Sequence, residues 1–94
     1  MILKFKEFYP NIHTSAWIAP SADLIGNIQI GEDSSVWFQC VIRADVNKVV
    51  IGKNTNIQDL SMIHTDHNTQ TIIGDNVTID HKVMLHGCKI EDNC

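Results

Sequence analysis

Cysteine is scarce and in the wrong number for a disulfide framework: there are three, Cys40, Cys88 and Cys94, and no two form a C-x-x-C pair. That excludes a stapled secreted scaffold and a thiolate zinc site, and it fits a reducing, cytoplasmic setting. Basic residues are also few. Seven Lys and Arg against eleven Asp and Glu give a net charge of −4, with no basic footprint for nucleic acid and no polybasic surface for acidic lipid. No apolar run approaches a membrane span, and the opening MILKFKEFYPNIH is too broken by charge for a secretory signal. Proline is confined to Pro10 and Pro20, and low-complexity sequence is absent. Aromatics are 6% of the chain; Trp17, Trp37 and Phe38 read as packing or interface groups, and none suggests a nucleobase platform.

What is present is a globular composition, 44% hydrophobic and 19% charged, sized for one domain over residues 1–94. Its apolar residues keep a beat of six. Ile18, Leu24, Ile30, Val36 and Ile42 open the series, which slips by three residues after ADVNKVV and resumes at Ile51, Ile57 and Ile63. It slips by four across TDHNTQT, then runs through Ile73, Ile79, Leu85 and, one residue short, Ile90. Four places further along each unit stand small or apolar residues: Ala22, Ile28, Ser34, Cys40, Val46, Thr55, Ser61, Val77, Val83 and Cys94.

A period of six is neither helical nor a plain alternation. It suits short strands joined by tight corners, with one large aliphatic and one small side chain of each unit turned inward. IGEDSS, IGKNTN and IGDNVT, where Gly closely followed by Asp or Asn is turn chemistry, recur about three units apart, as does the closing IEDNC. Three strands per coil make a triangular prism, its coils stacked as parallel strands about 4.8 Å apart. The expected fold is all-β, a parallel β-helix of hexapeptide repeats with about four coils. A two-sheet sandwich is the alternative, and it would show two-residue alternation instead.

The repeat assigns residues to faces. Face A carries Ile18, Val36, Ile57 and Ile79; face B carries Leu24, Ile42, Ile63 and Leu85; face C carries Ile30, Ile51, Ile73 and Ile90. His64 and His86 then hold the outward second position of face B on adjacent coils, with Arg43 in the same column one coil earlier. His81 falls near the edge of face A, above Asp59. One chain would struggle to close three imidazoles on one ion, whereas a symmetric neighbour could bring its His81 to another copy's His64 and His86. Three imidazoles leave an open coordination position, which marks a catalytic zinc site more than a structural one, and zinc there lowers the pKa of bound water to about 7. Arg43, Asp45, Gln58 and Asp59 lie on neighbouring coils as groups that could orient imidazoles or hold that water.

IRADV together with IGKNTNIQDLSMIHTDHNTQTIIGDNVTIDHKVMLHGCKI resembles the γ-class carbonic anhydrases and related hexapeptide-repeat proteins, from about Ile12 to the last residue. The resemblance implies a left-handed coil, although generic parallel crossovers favour the right hand. It also implies a homotrimer with a metal at each interface, held by two histidines of one chain and one of the next. His64, His81 and His86 match those ligands, with His81 crossing the interface. Arg43 and Asp45 match an inter-subunit pair, Gln58 a glutamine near the metal-bound solvent, and Asp59 the acid after it. Val46 departs from the pattern, standing where the best-characterised members carry a glutamate beside the metal water. The short loop TDHNTQT lacks the acidic proton-transfer residue, which leaves His67 as the candidate shuttle. Family members continue for several more coils and end in a helix, so this chain reads as the N-terminal part of the family domain.

The function expected on this basis is hydration of carbon dioxide to bicarbonate by zinc hydroxide at trimer interfaces; iron or cobalt could also occupy three imidazoles. Hexapeptide-repeat acyl transfer or thioester hydrolysis is one alternative, but acyltransferases of this fold usually use one histidine and no metal. A non-catalytic trimeric metal-binding scaffold is the other, and the missing glutamates favour it.

Overall fold

Short aliphatic segments separated by tight corners cannot extend into helices or long flat strands, so they turn and stack. The computed structural model describes residues 1–94: twelve strands and no helix wound into a left-handed β-solenoid of about four coils. Face A is the column β3 (Trp17–Ile18), β5 (Ser35–Val36), β7 (Asn56–Ile57) and β10 (Thr78–Ile79). Two longer strands, β4 (Asp23–Ile30) and β6 (Val41–Ile51), run round a corner and serve both other faces. Above them β8 (Met62–His64) and β11 (Met84–His86) complete face B, and β9 (Thr71–Ile73) and β12 (Lys89–Ile90) complete face C. Every named pairing is parallel. Beneath β4 lie β1 (Ile2–Leu3) and β2 (Asn11–Ile12), an incomplete bottom coil.

Nine of the twelve beat residues are buried; Ile18, Leu85 and Ile90, on the first or last coil, are only partly covered. Ile12 extends the beat one unit below Ile18 and pairs with Ile30. The small inward positions hold the stack together as well as filling it. Ser34 Oγ donates to the Gly52 carbonyl at 2.6 Å and accepts the Thr55 N–H; Thr55 Oγ1 does the same for Gly74 and Val77 one coil up. Ser61 Oγ repeats the pattern with Asp80 and Val83.

Two inward assignments need correction. Val46 is exposed, because it sits on a bulge: between paired positions only Asn27 separates Gly26 from Ile28, whereas residues 45–48 separate Ala44 from Val49. Ala44 and Val49 take the buried places. Cys94 is exposed too, since no coil of this chain lies over it. The corner glycines also act otherwise than as turn formers. The left-handed corner residues are Asp33, Asn54 and Asn76, while a Cβ on Gly31 or Gly52 would collide with the backbone of the coil above.

Burial pushes the Cys40 thiol above its usual range, against the opposing pull of backbone hydrogen bonds from Ser61, Trp37 and Leu60. Native protein treated with a thiol reagent should therefore react at Cys94 first, and at Cys40 only after denaturation. Chemical denaturation should find Ile63→Ala less stable by about 2 to 5 kcal/mol. Thr65→Val should be neutral or stabilising, because the buried Thr65 hydroxyl has no hydrogen-bond partner to lose.

Candidate metal centre

Parallel pairing in register brings residues 21 or 22 apart into one column. Arg43 pairs with His64, and His64 with His86, so all three leave face B at the same lateral position. The His64 and His86 rings lie 5.0 Å apart between centroids and tilt by 61°. His64 is largely buried in this column, whereas His86 is exposed at the top.

One nitrogen of His64 faces two partners. Its Nε2 is 2.9 Å from Asp45 Oδ1 and 3.2 Å from an Arg43 guanidinium nitrogen. Arginine can only donate and carboxylate only accept, so a neutral ring serves one of them at a time. With its hydrogen on Nε2 the ring donates to Asp45; with its hydrogen on Nδ1 it accepts from Arg43, and only this second form could offer Nε2 to a metal. Arg43 Nε also lies 3.3 Å from Asp45 Oδ2, so the arginine–aspartate pair closes within one chain. Partial burial raises the Asp45 carboxyl, but the His64 hydrogen bond, its own backbone N–H and the Arg43 charge outweigh that and hold it below the usual carboxylate range. Its stabilising contribution is complete above that range and fades as pH falls through it toward the lowered value.

His81 lies elsewhere. The pairing of β10 with β7 sets it over Asp59 on the edge of face A, with Nδ1 3.8 Å from Asp59 Oδ1 and Nε2 3.9 Å from Asp80 Oδ1. Its side chain is 62% exposed. No three His, Cys, Asp or Glu side chains of the chain come close enough to hold one metal ion. The residues fit a metal only as a shared site, with two imidazoles on one face and a third free on the next.

Gln58 Nε2 donates to Asn56 Oδ1 at 2.5 Å, and Asn56 Nδ2 donates to Thr78 Oγ1 at 3.1 Å. This chain of amides fixes the orientation of Gln58 and leaves its carbonyl oxygen without an intramolecular donor. Asn56 was not singled out from the sequence, although its place two residues before Gln58 put both on one side of the strand. Asn47 is a second such residue: its amide donates to the His67 carbonyl at 3.2 Å and ties the loop at 65–70 to the bulge below it. The His67 ring itself is exposed and makes no hydrogen bond, and nothing draws it to the face B column.

No model of a known protein family matches the chain. "Gamma carbonic anhydrase 1, mitochondrial" of Arabidopsis thaliana is 49% identical over 89 residues, which are 88% of this chain and 32% of that protein. "Carbonic anhydrase" of Geobacillus kaustophilus is 44% identical over 93 residues, 99% of this chain and 51% of that protein. The chain belongs to the γ-class carbonic anhydrase and hexapeptide-repeat family. Among solved structures, a hexapeptide transferase family protein from Anaplasma phagocytophilum superposes with a TM-score of 0.90 at 38% identity, over 95% of this chain and 52% of that one. The chain thus spans about half the length, or less, of these family members.

Replacing Asp45 with Ala should remove the acceptor that holds the hydrogen on His64 Nε2. Imidazole ¹⁵N shifts of the metal-free protein should then move toward the Nδ1–H tautomer; a tautomer unchanged by the substitution would contradict the assignment.

Proposed function

We propose that the chain is a γ-carbonic-anhydrase-like metalloprotein that hydrates carbon dioxide to bicarbonate at interfaces between three copies. The observation that carries this reading is the division of the triad: His64 and His86 stacked on face B, and His81 on the edge of face A, free of both. His64 and His86 of one copy and His81 of the next would hold zinc, an ion that imidazole suits. When bound, the metal supplies a Lewis acid that makes a water-derived nucleophile available near neutral pH.

The protein's own residues do the rest. Asp59 lies 3.8 Å from His81 Nδ1, and a small rotation toward it would hold a hydrogen on that nitrogen and keep Nε2 for ligation. Gln58, braced by Asn56, presents its carbonyl oxygen to accept a hydrogen from water and fix its orientation. In the tautomer that can ligate, the one lone pair of His64 Nε2 would go to the metal, so both Arg43 and Asp45 would give up that nitrogen and stand free to meet partners across the interface. Protons would leave to solvent directly, and His67 would relay them only if its exposed ring swung toward the face B column.

The transferase name of the solved neighbour supports a second reading, acyl transfer with a single histidine as base. Metal analysis separates the two. Zinc uptake should strengthen with protein concentration, because the third imidazole comes from another copy. His81→Ala and His86→Ala should each lose metal and carbon dioxide hydration together in stopped-flow measurements, whereas Gln58→Ala should keep the metal and turn over about tenfold or more slowly. Full activity in His81→Ala would defeat this reading; metal retention without hydration, even in strong buffer, would favour a non-catalytic scaffold.

A further inference from the structure

Trp17, Trp37 and Phe38 pack on one another on the outside of face A, with ring centroids 4.7, 5.8 and 6.2 Å apart. The cluster is not covered. Trp17 is 43% exposed, Phe38 46% and, one coil up, Leu60 48%. Leu60 is more telling than its exposure. It occupies a left-handed corner at φ 67°, in the column where the coils below and above place the polar residues Gln39 and Lys82. An apolar side chain kept exposed in a disfavoured backbone has no local gain to offset it.

One column ties this patch to the candidate ligand. Val36, Ile57 and Ile79 are paired in register, so Phe38, Asp59 and His81 follow one another up a single edge of the prism. A contact that delivers His81 to a neighbouring copy therefore delivers the aromatic patch to the same copy, lower down. Copies related by an axis along the prism keep their residues at equal height. What faces the patch is then face B of the first two coils, where the outward residues are Asp23, already paired with the N-terminal amine, Ile25, Val41 and Arg43. Ile25 and Val41 are half-buried aliphatics, and Arg43 offers a cation to an aromatic face.

We propose that Trp17, Trp37, Phe38 and Leu60 anchor the subunit contact by seating on Ile25, Val41 and Arg43 of a second copy. The inference deepens the shared-metal reading and rests on it for which faces meet. The contact is heterologous, face A on face B, so each copy uses both surfaces and three copies close the ring. Clustered tryptophan and phenylalanine over aliphatic and arginine partners is the composition of an interface hot spot.

Sedimentation of the chain, with and without zinc and with folding checked by far-UV circular dichroism, tests this. Phe38→Lys alters an exposed residue and sets an ammonium against Arg43 of the neighbour; it should weaken association at least about 30-fold. Adding Val41→Glu to that variant should restore association to within about tenfold of the unchanged chain, by pairing the two new charges across the contact. His81→Ala should lose zinc yet, without zinc, sediment as the unchanged zinc-free chain does. Unchanged association of Phe38→Lys, with zinc still lost in His81→Ala, overturns the anchor and leaves the shared metal site standing. Zinc uptake unaffected by His81→Ala, with Phe38→Lys dissociated, overturns the metal reading and leaves the anchor. Dissociation that Val41→Glu does not repair overturns the assigned partner surface. An unsubstituted chain that stays monomeric at every concentration, zinc-loaded or not, overturns both.

Discussion

Everything in the molecule depends on backbone hydrogen bonds that run along the solenoid axis from each coil to the next. Because the pairing is parallel and keeps its register outside the bulge at 45–48, a residue's neighbours above and below are set by counting, not by side-chain choice. The cost is that polar groups inside the prism must find partners along the axis as well. Ser34, Thr55 and Ser61 meet that demand by donating to carbonyls of the coil above and accepting N–H groups in return, and the Cys40 thiol donates to the Gln58 carbonyl in the same way. The core is therefore a set of aliphatic columns laced by short hydroxyl ladders, with Thr65 the one buried hydroxyl left out.

That regularity explains how much of the fold could be read without coordinates. Large aliphatic residues six apart specify a face and a coil, and the assignment of Ile57, Ile63 and Ile79 to different faces follows from the count alone. The count fails where the chain leaves the repeat. Val46 keeps the spacing of an inward residue but lies on a bulge, and spacing says nothing of which extra residues loop outward. The first strands were missed for a similar reason: a Phe5–Phe8 bridge interrupts the segment between Leu3 and Ile12, so the bottom half-coil has no beat to detect. The glycines of the IG motifs were attributed to turns, whereas close stacking of Gly31, Gly52 and Gly74 under the next coil is what requires them; clearance between coils has no local sequence sign.

At the candidate site, columns were legible and side-chain partners were not. That Arg43, His64 and His86 share one line, and that His81 stands over Asp59 on another face, follows from the register. That Asp45 would turn onto His64 Nε2, or that Asn56 would grip the Gln58 amide, depends on rotamers and on the bulge at 45–48, which puts Asp45 within reach. The inward turn of Asp45 has a chemical consequence. A buried imidazole left with only an arginine beside it would face a donor without an acceptor to balance the charge. The aspartate supplies that balance in the separate chain, and it occupies the nitrogen that ligation would need. Arg43, Asp45 and His64 thus form one unit in which the carboxylate and a metal compete for the same ring atom.

A flat-faced prism suits a divided site of this kind. The three faces are rigid because each strand is paired above and below, and ligands on two faces of one chain cannot converge by bending. They can converge only between chains, and rotation about an axis parallel to the coils brings face A of one copy to face B of the next at matching height. The operation that would join His81 to His64 and His86 would also bring the exposed aromatic cluster of the lower coils against Ile25, Val41 and Arg43. Directional metal bonds near the top and undirected apolar contact near the bottom would then constrain one interface at two levels. Imidazoles tolerate little displacement around an ion, so in the proposed assembly the apolar level would have a specific physical role: it would fix the distance between faces before the metal arrives.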